Sequence, residues 1–169
     1  MLFTTHSIVG AAVGIATKNP ALGFVTSFLM HHVMDAIPHF DQGSFRTLKS
    51  EVLYLGGKER LAPFDFLKLD WIILFADFAI GGIVFILLLF KLPVELWTPL
   101  VAGVFGCLLP DIIDSSPLWS LKLRAKFKAA FYYHEFHIVF HWTTAKNQAV
   151  LGLSTQIVFI TISLWYLLS

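Results

Sequence analysis

The sequence predicts an all-α, polytopic membrane protein with about four to five membrane helices and a His/Asp cluster on their cytoplasmic side. Three observations predict it. Hydrophobic residues make up 57% of the 169 positions, and mean hydropathy is +0.74, above the ~45–50% apolar share of soluble domains. Apolar runs of helix length follow one another between short polar connections. All seven histidines lie at one set of run ends or in the polar segments next to them.

The length suits one membrane-embedded helical domain over residues 1–169. The opening MLFTTHSIVG has neither the basic flank nor the small-residue cleavage site of a signal peptide, and is read as mature sequence. The first apolar segment, about Thr5–Thr17, is too short to cross a bilayer alone. It is expected to be tilted, partly re-entrant or sheltered by its neighbours. Lys18-Asn19-Pro20 is a turn, with Pro20 suited to the first position of the next helix, Pro20–Ala36.

The clearest span is Asp70–Phe90, whose 21 residues would rise roughly 31 Å as a helix, enough for the hydrocarbon core. About Glu95–Ile113 is apolar and meets Pro110 near its end; Gln148–Leu168 forms the last span. Gly81, Gly82, Gly103 and Gly106 are expected to let helices pack closely. Cys107, the single cysteine, excludes an intramolecular disulfide and a cysteine zinc site, and reads as a small apolar helix residue.

Five segments divide the polar connections into two sets. One side receives the N-terminus and residues about 42–69 and 114–147. It carries Arg46, Lys49, Lys58, Arg60, Lys68, Lys122, Arg124, Lys126, Lys128 and Lys146, against Lys18 and Lys91 opposite. The positive-inside rule makes the first side cytoplasmic, in a bacterial-type inner membrane. With 14% charged residues and a formal net charge of +1, the chain offers no whole-protein attraction for nucleic acid. The segment 121–133, LKLRAKFKAAFYY, interleaves cations with apolar and aromatic residues, and could lie on an anionic leaflet. Ordinary topology, with basic residues holding the loop inside, accounts for it equally.

Metal-ligand side chains collect on the cytoplasmic side. His6 starts the first segment; HHVMDAIPHFD, residues 31–41, ends the second; Asp70 opens the third, with Asp77 about 10 Å deeper. Asp111 and Asp114 close the fourth, and His134, His137 and His141 precede the last span. His31 and Asp35 are i, i+4, and His134, His137 and His141 are i, i+3, i+7, so each set shares a helix face. Pro38 breaks the second helix and lets His39 and Asp41 fold back. His32 points about 100° away from His31, so one of the two is expected not to be a ligand. Imidazoles and carboxylates at these spacings suit zinc, or manganese, and exceed the needs of one ion. Asp114 and Glu135 are the candidate general bases; Glu135 also reads as a solvated surface acid. Asp77 is costly inside a span and needs a partner, either a ligand histidine or another helix. Glu59 and Asp65 read as solvated. No phosphate-cradling glycine loop, nucleophile elbow or HExxH motif is present.

TTHSIVGAAVG, GCLLPDIIDSS and FYYHEFHIVFHW, in this order, resemble the membrane-bound metal-dependent hydrolases of bacterial inner membranes (YdjM-like). The resemblance implies metal-site roles for His6, Asp111, Asp114, His134 and His137. The sequence departs from that family's His-Arg pair, since Glu135 follows His134. HHVMDAIPH is similar to the His/Asp motif of zinc-dependent phospholipases C, which implies ligand roles for His31, Asp35 and His39 and points to phosphoesters. Here the proline and second histidine come sooner after Asp35, and the N-terminal tryptophan ligand is missing. The function expected is metal-dependent hydrolysis of a lipid or lipid-linked phosphoester at the cytoplasmic face, with membrane lipids as partners. A metal transporter or sensor, or a structural His/Asp clamp of helix ends, are the rivals.

Overall fold

A computed structural model describes residues 1–41, 68–116, 118–144 and 146–169. Arg46, Lys49, Lys58, Glu59, Arg60 and Asp65 lie outside the described residues, as do the side chains of Lys68, Asp70 and Lys146. Seven α-helices are described: α1 Phe3–Thr17, α2 Pro20–Asp35, α3 Lys68–Lys91, α4 Trp97–Asp114, α5 Ser120–Lys126, α6 Lys128–Phe140 and α7 Ala149–Leu168. Among the described residues three stretches are long and apolar enough to cross a membrane: Trp71–Lys91, Val94–Asp114 and Ala149–Leu168.

The α1–α2 turn forms as its residues dictate. Lys18 takes the left-handed conformation (φ 53°) and donates its N–H to the Ile15 carbonyl, closing α1. The Asn19 side chain accepts from the Leu22 N–H at 3.1 Å, with Pro20 opening α2.

α1 is too short to span alone, but it is the most enclosed helix, with ten buried residues. It packs in the angle between α2 and α4 and is flanked by α3 and α7. Glycine makes this possible. A Cβ on Gly10 would lie 2.6 Å from the Gly103 carbonyl oxygen, and one on Gly103 would lie 2.7 Å from Gly14 Cα. The α1 and α4 backbones therefore touch, as small residues permit in membrane helices. Gly106 does the same against Phe24 of α2. Gly82 differs from expectation, because its Cβ position faces open space. Below this contact Ile8, Ala11, Ala12, Ile15, Leu88, Leu100 and Leu167 form the main apolar core.

Asp77 finds its partner in α1. Its carboxylate accepts the backbone N–H groups of Phe3 (2.6 Å) and Thr4 (3.0 Å), while the Thr4 hydroxyl donates to the Asp77 carbonyl. These first-turn N–H groups have no acceptor within their own helix. A buried aspartate on α3 thus caps α1 from outside. Gln156 of α7 makes a similar tie: its Oε1 accepts from Leu2 N–H and Thr5 hydroxyl, and its Nε2 donates to the Phe40 carbonyl.

α4 runs through Pro110 to Asp114. This extra turn carries Asp111 and Asp114 on a helix at the end where α1 begins and α2 finishes.

Candidate metal centre

Beyond Asp35 the chain turns through Ile37 and Pro38 and runs alongside residues 142–144. Trp142 N–H donates to the Asp35 carbonyl, His39 N–H to Trp142 and Thr144 N–H to His39. His39 and Thr143 form an isolated parallel bridge. This pairing folds the PHFD stretch back over the end of α2 and sets His39 beside His141.

The result is a convergence on one carboxylate. Five Nε2 atoms surround the fully buried Asp35: His31 at 3.1 Å, His6 and His137 at 3.3 Å, His141 at 3.6 Å and His39 at 3.8 Å. They come from α1, α2, the loop after α2, α6 and the residue after α6. His6 and His39 approach Oδ1; His31, His137 and His141 approach Oδ2. The Met1 amino nitrogen also reaches Oδ1 at 2.8 Å.

The other ring nitrogens are held from behind. His31 Nδ1 donates to the Cys107 carbonyl (2.7 Å), His39 Nδ1 to the Ile37 carbonyl (2.9 Å) and His137 Nδ1 to Asp114 Oδ2 (3.0 Å). The Thr143 hydroxyl is donated to Asp41 at 2.9 Å, so it accepts from His141 Nδ1 at 3.0 Å. His6 Nδ1 stands 3.7 Å from Cys107 Sγ. A histidine whose Nδ1 is a donor presents a lone pair at Nε2, which is how metal-binding imidazoles are oriented.

Several lone pairs facing one carboxylate repel it and each other unless positive charge lies among them; the Met1 ammonium, 2.8 Å from Oδ1, supplies one such charge, on the Oδ1 side. His6 Nε2 and His39 Nε2 are buried with no hydrogen-bond partner, which ordinary interior packing avoids. Among the described residues four groups could hold a metal ion: His31/Asp35/Asp111/His137, Asp35/His39/His141, His31/His32/His137 and His6/His31/Cys107. The first two share only Asp35. Asp41 stands 3.4 Å from His39 Nε2 and 3.6 Å from His141 Nε2, within reach of the second group. The donor set, imidazole with carboxylate, fits a first-row divalent ion.

Charge in the polar segments follows the same geometry. Burial alone would lower His137, but its hydrogen bonds to Asp114 and Asp35 raise it to about 9. A proton there takes the position a cation would hold. Burial lowers His141 to about 4. Asp41 is held well below the carboxylate range: burial raises it, and its close approach to the His39 and His141 rings outweighs that.

The remaining predicted residues fall around this centre. Asp111 is a quarter exposed and lies 3.8 Å from His6 and 3.9 Å from His31. Asp114 has both oxygens engaged: His134 Nδ1 at 2.8 Å, Arg124 Nη1 at 3.1 Å and His137 Nδ1 at 3.0 Å. His134 and Glu135 belong to none of the four groups; His134 contacts Asp114 and Arg124. His32 meets Tyr133, whose hydroxyl lies 3.3 Å from His32 Nε2.

Arg124, Thr143, Tyr133 and Cys107 were not singled out by sequence for this site. Cys107 lies one helical turn before Asp111, so spacing on α4 carried that signal. Thr143 and Tyr133 lie close to histidines, but nothing in their spacing marks which one each would touch.

Fold and site together define a protein that is helical throughout its described secondary structure, with membrane-length helices and a buried His/Asp cluster able to hold metal. Searches of protein-family models, curated proteins and solved structures find no match.

Proposed function

We propose that this chain is a membrane-bound, metal-dependent hydrolase of a phosphoester on a lipid or lipid-linked substrate. The observation that carries the reading is the convergence of five Nε2 atoms on Asp35, with the opposite nitrogen of each ring held from behind. His31, Asp35, Asp111 and His137 would hold one ion; Asp35, His39 and His141, with Asp41 beside them, would hold a second. Zinc suits these donors best, with manganese the alternative. Such ions lower the pKa of water to about 7 and polarise a phosphoryl oxygen.

The chain's own residues prepare that chemistry. Asp35 bridges the two donor groups. Asp114, with both oxygens committed, orients His137 and His134 rather than acting as general base. Arg124 neutralises Asp114 and fixes its rotamer. Asp111, the most exposed carboxylate of the cluster, is the better base, while Glu135 lies about 100° around α6 from His134. α1 and α2 join the three longer stretches as membrane-embedded segments, giving five, with the cluster on the cytoplasmic side where the cations collect. Transport fits less well: Asp77, the deep carboxylate, is occupied in capping α1.

Elemental analysis of purified protein tests this reading. Wild type should carry two equivalents of zinc or manganese, His39→Ala and His137→Ala about one each, and Asp35→Asn close to none. Folded wild type that takes up no metal after supplementation would sink the proposal. The cluster would then be a hydrogen-bonded clamp, as the 3.2 Å contact between His31 and His137 Nε2 atoms permits.

A further inference from the structure

α6 has two unlike faces. His134 and His137 are buried, and Tyr133 is half-buried beside them. The other side exposes Tyr132 (68%), Phe136 (48%), Val139 (78%) and Phe140 (42%), and Trp142 (59%) follows directly. Thirteen residues rise only about 20 Å, so α6 cannot cross a bilayer. An exposed aromatic and aliphatic face on a short helix must be covered by something.

What covers it follows from position and charge. The segment leaves the bundle at Asp114, the end of a membrane-length stretch, and returns at Ala149, the start of another. Both ends lie at the metal-centre end: Asp114 bonds His137, and the Gly152 carbonyl accepts from Phe40 N–H. α5 and α6 are therefore held at one membrane boundary. Lys122, Lys126 and Lys128 are exposed along the same segment, with the Lys126 ammonium 5.4 Å from the Phe127 ring centre. A second copy would bring the same cations against them; an anionic lipid surface complements them. Aromatic rings flanked by lysines are the composition of a helix lying in the interface plane.

We propose that α5 and α6 form a monotopic element in the anionic leaflet. The Tyr132/Val139 face sits at the acyl boundary, the lysines lie among the headgroups, and His134 and His137 turn inward to the metal centre. The centre would then open at headgroup level, where a lipid phosphoester resides, rather than to bulk water. The inference rests on the membrane half of the proposed function and not on its chemistry.

Spin labels on Val139→Cys, Tyr132→Cys, Lys126→Cys and, as a span control, Ile157→Cys test it in full-length protein. The protein is held in nanodiscs of mixed phosphatidylcholine and phosphatidylglycerol; the native Cys107 is buried and stays unlabelled. Labels at 139 and 132 should collide several-fold more often with oxygen than with a water-soluble nickel chelate, as at 157, and the label at 126 should do the reverse. Phosphatidylcholine alone should move the label at 139 towards water. A label at 139 as chelate-accessible as that at 126 would overturn the proposal. So would dipolar broadening between copies, which would identify a second copy as the cover. The pattern is read without metal or turnover. Folded protein that shows it but takes up no metal after supplementation would therefore remove the hydrolase and leave the lipid-facing element standing.

Discussion

At Asp114 one carboxylate carries two buried histidines and an arginine. Asp114→Asn keeps the shape and loses the charge that orients His137. Metal affinity should fall by about 10–100-fold, as when a carboxylate behind a ligand histidine is removed, measured by chelator competition. The same pair sets a pH dependence. A metal ligand must be the neutral imidazole, so protons and metal compete. Because His137 is raised to about 9, apparent affinity should climb as pH rises through neutrality and level off only near pH 9. In Asp114→Asn, which lacks that carboxylate charge, the climb should finish at lower pH. A flat profile in wild type would rule out His137 as a ligand. Of these residues, the histidines and aspartates were legible as a set from their helical spacing. Their division of labour was not. Spacing along α6 offers His134 and His137 as equals, yet only His137 Nε2 reaches Asp35, because α6 crosses the end of α4 with Asp114 between them.

Helices are placed by two kinds of contact, each with its own test. Asp77 accepts two N–H groups at the start of α1, and leaving such a group buried and unsatisfied costs about 1–3 kcal/mol. Asp77→Ala should lower stability by about 2–4 kcal/mol, with Asp77→Asn losing less because one oxygen remains; thermal unfolding in detergent reads both. Equal losses in the two variants would contradict the capping role. Gly103→Ala acts differently, since its Cβ would press on Gly14 Cα. Overpacking of this kind costs about 1–3 kcal/mol. It also separates α1 from α4, drawing His6 away from Cys107 and Asp111, so metal content should drop together with stability. A fully stable, fully loaded Gly103→Ala protein would show that this contact does not set the site. The sequence marked Gly103 as a packing position and Asp77 as a residue needing a partner. It did not name either partner, which lies about 90 and 70 residues away along the chain.

For the whole molecule, all the cluster-bearing ends point one way, and the proposed cytoplasmic placement can be tested directly. A cysteine introduced at Lys18 or Ser169 should react with an impermeant thiol reagent added outside intact cells. One at Lys126 should react only after permeabilisation. The reverse pattern would overturn the cytoplasmic placement while leaving the metal centre intact.

The sequence by itself determined the helical class, the apolar spans, the turn at Lys18 and the gathering of histidines and aspartates at one level. These depend on composition, periodicity and the backbone limits of proline and capping residues, all of which act within a few residues. Only the tertiary structure decided that Asp35 is the hub, that Asp77 caps a helix, that Cys107 backs the site and that His39 meets His141. Those outcomes depend on where separate helices touch. Glycine contacts bring α1 and α4 into backbone contact, and the 38–41 stretch pairs with 142–144. Both are long-range packing events that no local pattern encodes.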